Sequence, residues 1–196
     1  MKLTVSDNKR FLVRRDGEPF FWLGDTAWEM VHRLSREEIR FYLDKRRAQG
    51  FTVVQTVCLG ELDGIRRPNA EGQTPLIDED IRRPNDRYFD LVEFVVDEAA
   101  RRGLYVGLLP TWGSYAITPE WKHPFLPRHA LFEPATGANA RPYGQYLGGR
   151  FGDRANIVWI LGGDTLPNMT GLRTWLEMAR GIAEGATGGE NYEQVI

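Results

Sequence analysis

The chain has 196 residues, 42% of them hydrophobic and 27% charged, with a formal net charge of −2. That balance describes a folded globular protein of one or two domains, excludes extensive disorder, and lacks the strongly basic character of a nucleic-acid binder. Charged residues interrupt every apolar run short of the roughly 18 residues a spanning helix needs, and the lone Cys58 excludes an internal disulfide or a cysteine-built metal site.

In chain order, residues 1–19 read as an N-terminal hairpin region. The runs Arg10 to Arg14 and Pro19 to Leu23 flank Asp16-Gly17, a favoured two-residue turn. Phe20-Phe21-Trp22-Leu23 then continues into Gly24-Asp25-Thr26 as a buried strand with a polar mouth. Ser35 with Glu38 forms a capping-box pattern ahead of Ile39, Tyr42 and Leu43 at helical spacing, and Gly50 closes that helix. Val53 to Leu59 is a β-branched strand, and Gly60 to Pro84 is a long Pro/Gly/Asp-rich loop. The cycle repeats. Asp86 caps a helix through Phe89, Val92, Val96 and Ala99 that ends at Gly103, and the apolar strand Leu104 to Leu109 leads into Pro110-Thr111-Trp112-Gly113. After an irregular stretch with Pro119, Pro124, Pro127 and Pro134, Pro142 opens a helix through Tyr143, Leu147 and Phe151, weakened by Gly148 and Gly149. Ile157 to Leu161 is the fourth strand of the cycle, ending in Gly162-Gly163-Asp164. The last helix sets Leu172, Trp175, Leu176, Ala179, Ile182 and Ala183 on one stripe. Residues 20–184 thus hold four strand–helix units, and 185–196 form a Gly-rich tail.

Four alternations with uniformly apolar strands predict a parallel sheet covered by helices, either doubly wound or part of a (β/α)8 barrel. In both architectures the site lies at the carboxyl ends of the strands. The four mouths are Asp25-Thr26, Cys58 to Glu61, Thr111-Trp112 and Asp164-Thr165. Asp164 emerges where an apolar strand ends. Apolar walls would raise its pKa toward what a general acid near neutral pH requires, and a helix N-cap is the plainer alternative. Asp25 either orients sugar hydroxyls or caps the turn before Trp28. Gln55 either places an amide in the interior or is a satisfied interior polar group. Six Trp, seven Tyr and ten Phe make an aromatic-rich chain, and Trp28 and Trp112 beside the carboxylates favour a carbohydrate site, because a flat ring face accepts sugar C–H bonds. Trp22, Trp159 and Trp175 fall in core patterns. His32, His123 and His129 lack hydrolytic metal spacing, the Gly148 to Gly152 run follows no strand, and no nucleophile elbow occurs. Asn168-Met169-Thr170 satisfies a glycosylation sequon. No cofactor or metal is expected, and the N-terminus MKLTVSDNKR, without an apolar signal core, makes the cytoplasm the default compartment.

Taken together, Phe21-Trp22-Leu23-Gly24-Asp25-Thr26-Ala27-Trp28, the Ser35-Arg36-Glu37-Glu38 helix start, Gly50-Phe51 before Val53-Val54-Gln55, Leu109-Pro110-Thr111-Trp112-Gly113, and Ile157 to Asp164 resemble the apiosidase-like glycoside hydrolases, glycoside hydrolase family 140. The resemblance spans nearly the whole chain in order. It implies a (β/α)8 barrel of the retaining-glycosidase clan, with the acid/base after the fourth barrel strand and a glutamate nucleophile after the seventh. Asp164 inherits the acid/base role, as Gly-Gly-Asp rather than the clan's commoner Asn-Glu. Asp25, Thr26, Trp28, Gln55 and Trp112 are expected to line the sugar subsite. A retaining pair stands roughly 5–5.5 Å apart, and only Asp164 is in place to supply one member. Glu190 and Glu193 lie in the tail and away from a strand end.

Four units are half of what a barrel of about 250 residues requires. The expectation is therefore an N-terminal half-barrel preceded by a hairpin, inactive alone, with a carbohydrate as partner and neither nucleic acid nor membrane. Its exposed strand edges leave room for self-association. A homodimer closing the barrel and a non-catalytic carbohydrate-binding half-barrel stand as alternatives, and the sugar and linkage are open.

Overall fold

β-Branched runs and capped amphipathic segments alternate along the chain, and the computed structural model shows how they assemble; it describes residues 2–116, 131–132, 138–164 and 169–192. Most of the expected loop from 114 to 141, with His123 and His129, lies outside the described residues, as do Thr165, Asn168 of the sequon and Glu193.

An N-terminal hairpin does form within residues 1–19, but with other arms than the runs Arg10 to Arg14 and Pro19 to Leu23. Strand β1 (Leu3–Val5) runs antiparallel to β2 (Leu12–Arg14), with Leu3 opposite Arg14. The Asp16-Gly17 turn does form, with Gly17 at φ +86 and the Arg14 N–H donating to Glu18 O at 2.9 Å. Beyond it there is only a bridge between Val13 and Pro19. Pro19 has no N–H to extend a ladder, so the earlier segment becomes the partner of β2.

The main sheet contains β3 (Gly24–Thr26), β4 (Val53–Val57), β5 (Tyr105–Leu109) and β6 (Ile157–Trp159), all parallel and in chain order. Sequential order without a reversal point is barrel-type winding and sets aside the doubly wound alternative. Helix α1 (Met30–Arg33) is short, and α2 (Arg36–Ala48) follows it. The capping box at α2 is made: Ser35 N–H donates to Glu38 Oε2 at 2.8 Å, and Ser35 Oγ accepts from Glu38 N–H. Gly50, at φ +88, takes the left-handed position that ends the helix. Helix α3 (Asp86–Arg101) is capped by Asn85 rather than Asp86. A single turn, α4 (Gly113–Ala116), precedes α5 (Ala140–Phe151), and α6 (Met169–Thr187) runs past residue 184 into the expected tail.

Side-chain alternation divides the sheet into two faces. On the outer face Val54, Val106, Leu108 and Ile157 join Ile39 and Leu43 of α2, Val92 and Val96 of α3, Phe151 of α5 and Ile182 of α6 in one core. On the inner face Val53, Tyr105 and Val158 pack with Leu3, Phe20 and Trp22, so the N-terminal segment closes the base of the half-barrel. Trp22, which reads as core in sequence, is only half-buried and lies across the inner face. A Cβ on Gly24 would come 2.8 Å from Trp22 Nε1, which is why a side chain is not accommodated there.

Glycines that weaken α5 as an isolated helix explain its packing. The Cβ position of Gly148 is occupied by the Ile182 carbonyl, those of Gly181 and Gly185 by the Arg141 and Gln145 carbonyls, and that of Gly144 falls 2.5 Å from Met178 O. Backbone meets backbone between α5 and α6, an approach only glycine allows. The buried stripe of α6 accordingly runs through Thr174, Trp175, Met178 and Ile182, leaving Leu172 and Leu176 exposed rather than on the core stripe. Apolar side chains are also exposed beside both edge strands: Phe21 (74%) and Leu23 next to β3, and Leu161 after β6. No helix among the described residues is long and apolar enough to cross a membrane.

Candidate active site

The strands end together, and their mouths are tied by backbone hydrogen bonds. Ala27 N–H donates to Gln55 O (2.8 Å), Cys58 N–H to Leu109 O (2.9 Å), Ile160 N–H to Leu108 O (3.0 Å) and Trp112 N–H to Leu59 O (3.1 Å). These bonds set four loops at one rim.

On the inner face, register aligns Thr26 with Gln55, and Gln55 with Gly107. Thr26 is exposed and Gln55 half-buried, so both present polar atoms to the open concavity. Gly107 makes room for its neighbours: a Cβ there would meet Ile160 Cδ1 at 2.9 Å and Gln55 Cγ at 3.0 Å. At the rim, Trp28 and Trp112 form an edge-to-face pair with ring centroids 5.6 Å apart. Trp112 is 2% exposed and backs the half-buried Trp28, which retains accessible surface.

Asp164 follows two glycines held at φ +142 and +140 and itself sits at φ +46, a region Asp tolerates better than most residues. Gly163 is pressed against the tryptophan, since a Cβ on it would lie 3.1 Å from both Trp112 Cε3 and Gly113 N. The Gly-Gly-Asp run thus lays backbone on the Trp112 ring and turns the carboxylate out at the rim. Asp164 is exposed rather than walled by apolar groups. The helix-cap alternative turns on residues 165–168, which lie outside the described residues.

Asp25 goes to the other side. It aligns with Val54 and Val106 on the outer face, where its Oδ2 accepts from Arg46 Nε at 2.5 Å and from the Tyr42 hydroxyl. Period-two alternation gives the adjacent Asp25 and Thr26 opposite faces, so Asp25 ties α2 to the sheet while Thr26 faces the concavity. The ion pair and phenol take up the carboxylate that sequence reading assigned to sugar hydroxyls.

Other rim groups lacked a motif. Glu61 stands just past the end of β4, and burial first, then the charges of Glu29 and Asp164, raise its carboxyl above the ordinary glutamate range. Glu29 is paired with Arg33 at 3.0 Å through Oε2, while Oε1 is buried without a partner among the described residues. His32 is buried beside it, and burial lowers its pKa. Tyr115 donates to Gly60 O at 3.1 Å, bracing the Glu61 loop. Cys58 is fully buried, and burial pushes its thiol well up, so it offers no nucleophile at the mouth. A strand-end position was the one signal that marked Glu61.

Residues 6–195 match the family described as apiosidase-like, catalytic domain. The chain belongs to that family. No curated relative matches it in sequence. Among solved structures, a glycoside hydrolase family 5 protein from Bacteroides vulgatus is 32% identical with a TM-score of 0.74, over 96% of this chain and 38% of its own. A second structure, named only as a glycoside hydrolase, is 28% identical with a TM-score of 0.77, over 96% and 39%. An endo-1,4-beta-mannanase from Rhizomucor miehei shares the fold at 12% identity and a TM-score of 0.61, over 94% of this chain and 58% of its own. The chain therefore spans about two fifths of the length of the first two. Its four units are of the (β/α)8-barrel type, as the apiosidase-like resemblance implies.

Proposed function

We propose that this apiosidase-like domain contributes the acid/base half of a retaining glycoside hydrolase acting on side chains of complex polysaccharides, plant-type ones included. The observation that carries the reading is Asp164, exposed at the rim just after Gly163, whose backbone lies against Trp112 of the Trp112–Trp28 pair. In a retaining mechanism this carboxyl first donates its proton to the departing glycosidic oxygen, then as carboxylate takes a proton from the water that releases the sugar from the nucleophile. Thr26 and Gln55 are the hydroxyl-reading groups of the concavity, and Trp28 is the face on which a sugar ring stacks. Trp112 supports Trp28, and Asp25 positions α2.

The nucleophile is expected at the end of a seventh barrel strand, and the catalytic partner of Asp164 is not among the described strand-end groups. Exposed Phe21 and Leu23 at one sheet edge and Leu161 at the other favour edges that pair within a closed barrel.

The test is Asp164→Ala in a protein carrying this domain in a closed barrel. Turnover of a glycoside with a poor leaving group should fall about 10²–10⁴-fold. An aryl glycoside with a good leaving group should lose less in its first step, and azide should restore turnover with retained configuration. Equal losses for both substrates, untouched by azide, would remove Asp164 from the acid/base role.

A further inference from the structure

At the opposite end of the strands from Asp164 the chain forms a second concavity. It has a volume of about 600 Å³ and is lined by Lys2, Arg14, Arg15, Asp16, Phe20, Arg47, Thr52, Gly103 and Tyr105. Lys2 precedes β1, Arg14 ends β2 with Arg15 and Asp16 following it, and Arg47 lies in the last turn of α2. Thr52 and Gly103 precede β4 and β5. The volume falls within the range of small-molecule sites.

Its charge is opposite to that of the chain. The protein carries a formal −2, yet this cavity gathers four cationic side chains against the single carboxylate of Asp16. Elsewhere arginines are heavily paired; Arg46, next to Arg47, is held by Asp25 at 2.5 Å. Lys2, Arg14, Arg15 and Arg47 form no ion pair among the described residues. The carbonyl end of α2 accounts for Arg47, as a cation there offsets the helix dipole. It does not account for the three cations contributed from the N-terminal segment. Arg14 is further held 5.8 Å over the Phe20 ring, so its guanidinium is presented rather than trailing in solvent. The floor beneath is aromatic, made by Phe20 and Tyr105. Gly103, at φ +69 with nothing within 4 Å of its Cβ position, leaves one wall open.

We propose that this basal cavity binds a carboxylated saccharide, a short uronate oligomer, with Arg14, Arg15, Arg47 and Lys2 taking the carboxylates and the Phe20–Tyr105 floor taking the ring C–H faces. Anion recognition rests on the cavity alone. The saccharide part rests on the carbohydrate reading of the family. The site is separate from the rim and holds substrate chain without acting on it.

Calorimetric titration of the full chain decides it, with trigalacturonate as the probe and cellotriose and inorganic phosphate as the comparison arms. Trigalacturonate should bind the wild-type chain and weaken as salt is raised, since exposed charges are screened. Arg15→Gln with Arg47→Gln should weaken it about tenfold or more. Both residues are exposed and unpaired among the described residues, and only the small helix-end contribution of Arg47 is lost, so the melting temperature should fall by no more than about 4 °C, which separates lost binding from lost folding. Asp164→Asn should leave this binding intact. Binding lost in Asp164→Asn, or unchanged in the arginine double variant, would place the ligand elsewhere and overturn the site. Cellotriose binding as well as trigalacturonate would overturn charge recognition. Phosphate binding as tightly as trigalacturonate would overturn the saccharide part. A failed acid/base test at Asp164 would leave all these outcomes readable.

Discussion

The two faces of the main sheet are made from the same short strands and have opposite fates. The outer face is finished: Val54, Val106 and Leu108 have no exposure, sealed by α2, α3, α5 and α6. The inner face is sealed at its base, where Val53 and Tyr105 lie under Leu3 and Phe20, and again at the strand ends by Val57 and Leu109, and it stays open between them at Trp22, Gln55, Val158 and Thr26. Stability and recognition are therefore separated by one residue of register. A face covered by helices makes the fold; a face left uncovered between its base and its strand ends is available to a ligand.

The largest break in that contrast is a truncation on each side. Leu108→Ala, on the outer face, should cost about 2–5 kcal/mol, because the helices over it collapse only partly into the cavity. Val158→Ala, half-buried on the inner face, should cost about 1 kcal/mol or less. Urea denaturation midpoints at unchanged slope measure both. Equal losses would mean that the inner face is as fully packed as the outer.

Adjacent polar residues sharpen it next. Asp25→Ala leaves the Arg46 guanidinium and Tyr42 hydroxyl without their acceptor in a partly buried place, and should cost about 1–3 kcal/mol. Thr26→Ala, one residue on and exposed, should stay within about 0.5 kcal/mol while weakening sugar binding. Paired urea melts and sugar titrations separate the two. A Thr26→Ala variant as unstable as Asp25→Ala would erase the distinction between the faces.

These residues also show what could be read before the fold was seen. The four-unit cycle, the Ser35–Glu38 box and the Gly50 and Gly103 helix stops are local signals, set by nearest neighbours along the chain. The rim tryptophans were legible for the same reason, since each follows a recognisable strand end. Asp25 was not, because its role depends on Arg46 and Tyr42 of α2, and only strand phase decides which way a carboxylate points. Leu172 and Leu176 match the helical period of α6, yet the glycine contact with α5 rotates the buried stripe away from them. Gly148 and Gly149 read as helix breakers. The value of Gly148 depends on a second helix whose backbone comes into contact, which no window along the sequence contains.

The smallest predicted effect concerns Glu61, where the rim itself opposes the folded state. Burial and the charges of Glu29 and Asp164 raise its folded pKa above that of the unfolded chain. A raised carboxyl binds its proton more tightly when folded, so ionisation costs stability. That cost is absent below the unfolded pKa and complete above the folded one. Glu61→Gln should therefore be slightly more stable than wild type at about pH 7, within about 0.5 kcal/mol, with the difference vanishing toward about pH 3.5. Paired urea melts at the two pH values measure it. A variant less stable than wild type at neutral pH would show that the Glu61 carboxylate makes a stabilising contact, and that the rim is packed for folding rather than left charged for a substrate.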